Sequence, residues 1–156
     1  MGRLVHAEDY VIGSSYDLGS HKVTAEEIIA FGRTYDPQPY HLSEEAGRAS
    51  AFGSLIASGW NTAAIWMRLY VTTLLPDAAA EGTVEGSPGV DEVRFLQPVR
   101  PGDVLTGTCE IAAVLPSLSA PDFRIVRNRG RLVNADGDEV LTLILNARFR
   151  CRPKHA

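Results

Sequence analysis

Hydrophobic and polar positions change their period twice along the chain. Residues 10–23 carry strand-like side chains at Tyr16, Leu18 and Val23, with Gly13 and Gly19 interrupting, and predict one or two short strands. The period then lengthens. Ala25, Ile28, Ile29 and Gly32 fall at i, i+3, i+4 and i+7, one apolar face of an amphipathic helix. Thr24-Ala25-Glu26-Glu27 is a capping box that starts this helix, and Pro37 and Pro39 stop it near Tyr35. Ser43 predicts the cap of a short surface helix through about Arg48, with Glu44 and Glu45 in the turn where the helix dipole favours negative charge. From Ser58 to Leu75 the chain is apolar on most faces, with Arg68 its one charge, and predicts a long buried helix. Residues 76–89, with Pro76, Gly82, Gly86, Pro88 and Gly89, predict a long irregular loop, a candidate lid or partner contact. From Val90 onward the period is two. Val93 and Phe95, then Leu105, Cys109 and Ile111, then Leu141, Leu143, Leu145, Ala147 and Phe149 each lie on one side of an extended run. Pro101-Gly102 and Asp136-Gly137 supply turns. The prediction is a single α+β domain over residues 1–156: a strand, a helix, a long buried helix, and a meander of about four antiparallel strands. Its core spans about 15–150, with the sheet wrapped around the buried helix so that both apolar surfaces are covered.

Composition narrows the function classes. The chain has 156 residues, 45% hydrophobic and 22% charged, with a net charge of −4, the profile of an ordinary globular protein. Nucleic acid is not an expected partner: Arg124, Arg127, Arg129 and Arg131 read as the solvated face of one strand rather than a phosphate track. Nor is a membrane, since Asn61 and Arg68 interrupt the one long apolar segment. Cys109 and Cys151 have neither metal-ligand spacing nor the number for a disulfide framework, which fits a reducing cytoplasm. Residues 1–9 hold no apolar stretch of signal-peptide length, and a cytoplasmic location is expected. No metal site is expected, and no G-x-G-x-x-G nucleotide loop occurs. Trp60 and Trp66 read as packing or as pocket wall rather than as a cofactor box.

The candidate chemistry lies in Tyr35-Asp36-Pro37-Gln38-Pro39-Tyr40-His41. Each proline fixes its own φ and pushes the residue before it out of the helical region, so Asp36 and Gln38 are extended or in a turn. A stiff connector of this kind can hold a carboxylate and an imidazole at a fixed separation around one water. An ordinary helix-ending turn with a surface histidine is the competing reading of the same residues.

These residues resemble the MaoC-like, or (R)-specific enoyl-CoA hydratase, family of hot-dog proteins. Phe31-Gly32-Arg33-Thr34-Tyr35-Asp36-Pro37-Gln38-Pro39-Tyr40-His41 is similar to the family's hydratase motif, Leu55-Ile56-Ala57-Ser58-Gly59 to the entry into its central helix, and Phe95-Leu96-Gln97-Pro98-Val99-Arg100-Pro101-Gly102-Asp103 to its strand-turn-strand signature. The chain departs from the family pattern at Tyr35, where Gly is usual, at Gln38 in place of Asn, and at Ser58 where His often stands.

The resemblance implies a single hot-dog domain and reversible addition of water to a trans-2-enoyl thioester, giving the (R)-3-hydroxyacyl product. Asp36 and His41 would be the catalytic pair, with the donor of the second proton left open. Gly59 is the candidate oxyanion donor, because a helix N-terminus offers free amides at the positive end of a dipole. A glycine that merely lets the helix start close to the sheet is the alternative. Gln38 and Ser58 join the candidate substrate-binding set. The resemblance implies no cofactor beyond coenzyme A as the substrate's carrier, an acyl-CoA or acyl-carrier-protein thioester as partner, and a homodimer or higher homo-oligomer. Arg94, Arg124 and Arg127 are the candidates to meet the carrier's phosphates. Two other functions compete: a hot-dog thioesterase, disfavoured because residues 59–75 contain no Asp or Glu, and a non-catalytic acyl-thioester binding protein.

Overall fold

The computed structural model describes residues 2–155. It contains one antiparallel sheet of β1 (Ser15–Lys22), β2 (Gly89–Phe95), β3 (Val104–Pro116), β4 (Phe123–Val133) and β5 (Glu139–Arg150), ordered β1-β3-β4-β5-β2. The helices are α1 (Ala25–Tyr35), α2 (Glu44–Ala49), α3 (Gly59–Leu74) and the short α4 (Pro76–Ala80). The expected capping box is present: Thr24 Oγ1 accepts from the Glu27 amide at 3.2 Å, and Glu27 Oε1 accepts from the Thr24 amide at 3.0 Å. Ser43 caps α2 through its hydroxyl alone, accepting from the Ala46 amide at 3.1 Å.

Only β3, β4 and β5 form the meander, so the expectation of about four meandering strands is corrected. The β4–β5 connection turns at Gly137, whose φ of +82° favours glycine. β2 instead pairs with β5 at the far edge, Val90 opposite Leu145, and β1 pairs with β3, Tyr16 opposite Cys109. Pro98 and Pro101 lack the amide protons a ladder needs, so the chain leaves the sheet after β2. The Pro101-Gly102 turn then docks on β1, with the Gly102 amide donating to Val23 O at 2.8 Å. It is therefore not a hairpin between neighbours.

α3 lies against β1, β3 and β4. Trp66 is fully buried, its indole N–H donates to Thr108 O at 3.0 Å, and its ring stacks on Tyr70. The ring also occupies the space where a Cβ on Gly130 would stand, 2.3 Å from its nearest atom. Thr73 Oγ1 donates to Leu18 O at 3.0 Å, tying the same helix to β1. Leu105, Cys109 and Ile111 of β3 and Leu141, Leu143, Leu145, Ala147 and Phe149 of β5 are buried as their period predicts. This is the hot-dog arrangement of a helix held by a curved antiparallel sheet. Composition predicts a helix buried on most faces, and this is corrected: Ile65, Trp66, Tyr70 and Leu74 face the core, whereas Trp60 and Val71 are exposed.

The segment 76–89 is also more ordered than predicted. Pro76 opens α4 at a first-turn position, where its missing amide proton costs nothing. Thr83 is buried, its hydroxyl bonding Val5 O and Ala78 O. The Glu85 and Arg150 amides donate to Arg148 O and Thr83 O, continuing the pairing along β5. On the outer sheet face, Arg127, Arg129 and Arg131 pair with Asp91, Glu110 and Glu139, the solvated face expected of them. Pairs this exposed contribute about 0–1 kcal/mol each. No helix among the described residues is long and apolar enough to cross a membrane.

Candidate functional site

Asp36 is the residue on which α1 ends. Its amide still donates to Gly32 O at 2.9 Å, but its φ of −147° and ψ of 73° have left the helix. Gln38 is extended, and Pro39–His41 make one 3-10 turn that delivers His41 into the interior. The turn can approach α1 because position 32 is glycine: a Cβ there would lie 2.9 Å from His41 O and 3.0 Å from His41 Cβ. Tyr40 and His41 are fastened to the chain entering α3. The Ile56 amide donates to Tyr40 O at 3.1 Å, and His41 Nδ1 lies 2.6 Å from Ile56 O.

That last contact fixes the imidazole. A carbonyl only accepts, so Nδ1 is the donor and Nε2 is the nitrogen that faces Asp36 Oδ2, at 3.3 Å. The His41 side chain is 5% exposed and that of Asp36 21%, so one is buried and the other partly exposed. The Gln38 side-chain amide, which donates to Asp36 Oδ1 at 2.7 Å, holds the carboxyl below the usual carboxylate range; Ser58 and then His41 add to the effect. Asp36 is therefore ionised at neutral pH. With Nδ1 held by Ile56 O, Nε2 is the His41 nitrogen beside Asp36 Oδ2, where the two groups can relay protons to and from one water.

Ser58 is buried and N-caps α3, its Oγ accepting from the Trp60 amide at 3.3 Å. Gly59 is the first residue of the helix, so its amide has no partner within it. A Cβ at Gly59 would stand 2.5 Å from the Phe95 ring, which lies over the helix start and meets Trp60 edge-on, with ring centroids 5.6 Å apart. Asp36, Gln38, His41, Ser58 and Gly59 thus line one cleft of about 550 Å³, together with Thr62 and walls from Phe52, Trp60, Phe95, Leu96, Val99 and Val140.

The five candidate residues come together, but the Gln38 side chain bonds other side chains rather than the backbone. It stands between Asp36 and Tyr40, whose hydroxyl donates to Gln38 Oε1. Tyr40, Phe52 and Phe95 are among the site residues that sequence reasoning left without a role. Tyr40 lay inside the motif, and its hydroxyl beside a polar Gln38 was the one available signal. Of the two tryptophans, Trp60 is pocket wall and Trp66 is core packing. None of Arg94, Arg124 and Arg127 lines the cleft; Arg127 bonds Asp91 and Asn146 on the sheet. Arg100 braces the cleft from outside, its guanidinium donating to Phe52 O at 2.8 Å and to Ser54 Oγ. A second concavity of about 530 Å³, among Arg94, Glu110, Arg129, Arg131 and Glu139, lies on the outer sheet face, where the charges neutralise one another. No group of three His, Cys, Asp or Glu side chains suited to a metal gathers among the described residues.

Comparison with known proteins bears on the family and the fold. The sequence profile of the MaoC like domain matches residues 9–115. A solved MaoC-like dehydratase from Rhodospirillum rubrum is 41% identical, with a TM-score of 0.84 over 96% of this chain and 99% of that one. The 3-hydroxybutyryl-CoA dehydratase of Methylorubrum extorquens is 29% identical over 146 residues, covering 89% of this chain and 80% of that protein. The R-hydratase PhaJ1 of Pseudomonas aeruginosa, 21% identical with a TM-score of 0.75 over 97% of this chain and 92% of that one, shares the fold. The profile match spans well over half of the sequence and takes in the Asp36–His41 turn and the start of α3, and on that ground the chain belongs to the MaoC-like domain family.

Proposed function

We propose that this protein adds water reversibly across the double bond of a trans-2-enoyl thioester to give the (R)-3-hydroxyacyl thioester. The observation that carries the reading is the 3.3 Å approach of Asp36 Oδ2 to His41 Nε2 at the cleft, with Nδ1 already committed to Ile56 O. Water between the two groups loses a proton to one of them as its oxygen attacks C3. The Asp36–His41 pair, having taken that proton, delivers one to C2 as the double bond is consumed, so atoms balance without a redox partner. The developing negative charge passes to the thioester oxygen, for which the Gly59 amide at the positive end of α3 is the donor. Phe95 and Trp60 form the apolar flank along which the acyl chain lies. Coenzyme A enters only as the carrier of the acyl group.

A thioesterase reading has less support, because α3 offers no carboxylate to activate water at a carbonyl. The same proposal includes a cytoplasmic setting, with which the two free thiols are compatible, and a homodimer. The β2 edge bears the exposed Val90 and Phe95, and Leu96 follows it; a second copy would cover this edge.

Gly59→Ala tests how the flank seats the oxyanion donor, whose amide alanine retains. The added methyl forces the Phe95 ring to move, and the expected result is a cost of about 1–2 kcal/mol in urea unfolding with a disproportionate loss of turnover. The test of the function itself is chiral analysis of the product formed from crotonyl-CoA and from a longer enoyl-CoA. An (R)-3-hydroxyacyl product without free thiol is expected. Thiol release points to hydrolysis, and binding without any product points to a carrier protein.

A further inference from the structure

We propose that Tyr40 is a positioning residue: its hydroxyl sets the Gln38 side chain so that Asp36 keeps one carboxylate oxygen, Oδ2, free for His41 and the reacting water. The inference rests on the hydratase reading above and extends it to a residue outside the expected set.

Three polar groups lie in sequence. Tyr40 Oη meets Gln38 Oε1, and Gln38 Nε2 meets Asp36 Oδ1 at 2.7 Å. Their chemistry allows only one direction. An ionised carboxylate accepts and never donates, so Gln38 must turn its NH₂ toward Asp36. That leaves its carbonyl toward Tyr40, and the phenol must be the donor. A flipped amide would set two acceptors face to face at Asp36. The chain of donors therefore ends on Oδ1, and the carboxylate cannot rotate without breaking it. Oδ2 is left at 3.3 Å from His41 Nε2.

Tyr40 is suited to impose this order because its ring is held from two sides. It packs edge-on against His41, with centroids 4.5 Å apart, and against Phe52 at 5.3 Å. Phe52 is held in turn by the bond from Arg100 to its carbonyl. Gln38, by contrast, is exposed and carries a flexible side chain. Without the phenol oxygen its amide is free to flip or to turn into solvent. Gln38 bridges the two groups with both ends of its amide, so Gln38 and Tyr40 act as a pair. One residue thereby touches both members of the dyad, His41 by its ring and Asp36 through Gln38.

Tyr40→Phe removes one oxygen and keeps the ring contacts. Its expected effect is a kcat reduced about three- to tenfold, the worth of one intramolecular hydrogen bond, with KM within about twofold. The acid limb of the kcat/KM profile should move to higher pH, because Asp36 loses the donor that favours its charged form. Gln38→Ala should reproduce both changes, and adding Tyr40→Phe to it should change nothing further. Carbon-detected NMR titration of the Asp36 carboxyl in wild type and Tyr40→Phe reads the same effect without turnover. An upward shift in the variant supports the proposal. An unmoved Asp36 titration, or effects of the two substitutions that multiply, overturns it. If the wild type hydrates no enoyl thioester, the functional reading fails while the titration still decides the role of Tyr40.

Discussion

Asp36→Asn is expected to lower the hydration rate of crotonyl-CoA by about 10²–10⁴-fold, the range that one positioned general base supplies. That corresponds to roughly 3–5 kcal/mol of transition-state stabilisation. The substitution preserves shape and inverts function at one atom. An asparagine can turn its carbonyl to the Gln38 NH₂ and keep that bond, but its own NH₂ then stands where Oδ2 faced His41. A donor replaces an acceptor, and the carboxylate oxygen that would take a proton from the water is gone. The melting temperature should change little, because the Asp36 side chain is partly exposed and lies at a helix terminus. Steady-state kinetics should show the loss in kcat, with KM largely retained.

Trp66→Ala should cost about 3–5 kcal/mol in equilibrium unfolding, out of the 5–15 typical of a whole domain. Trp66 is fully buried between α3 and the sheet, and its indole proton satisfies Thr108 O. Truncation leaves that carbonyl short of a partner and opens a cavity beside Gly130, where no side chain exists to fill it. The comparison is Trp60→Ala on the same helix. Trp60 is 60% exposed, and its removal should cost less than about 1 kcal/mol. Urea denaturation followed by circular dichroism measures both, and equal losses would contradict the assignment of one tryptophan to the core and the other to the cleft.

Those two tryptophans mark where the sequence could be read and where it could not. Periodicity identified α1, α3 and the buried faces of β3 and β5, because each buries a stripe of side chains set by its own repeat. It did not reveal which side of α3 meets the sheet, since an almost uncharged helix has no polar face to mark its outside. Strand order was hidden for a similar reason: Pro101-Gly102 marks a turn, but only the register with Val23 and β1 shows that the chain has crossed the molecule. Within the site, Asp36 and His41 were legible because two prolines fix the backbone that joins them. The role of Gln38 was not, because its partners are side chains on the same short turn, and their directions depend on where the His41 and Phe52 rings pack. Phe95 was invisible as a site residue for the opposite reason: it reaches Gly59 from a strand distant in sequence.

The central claim is that Asp36 and His41 together activate water toward an enoyl thioester. The most direct measurement follows the ultraviolet absorbance of the conjugated thioester of crotonyl-CoA and a longer enoyl-CoA, with free thiol assayed in parallel, for wild type, Asp36→Ala and His41→Ala. The predicted result is loss of the absorbance band in the wild type with thiol flat, abolished in both folded variants. Loss of the band accompanied by thiol release, or hydration that survives in either variant, would contradict it.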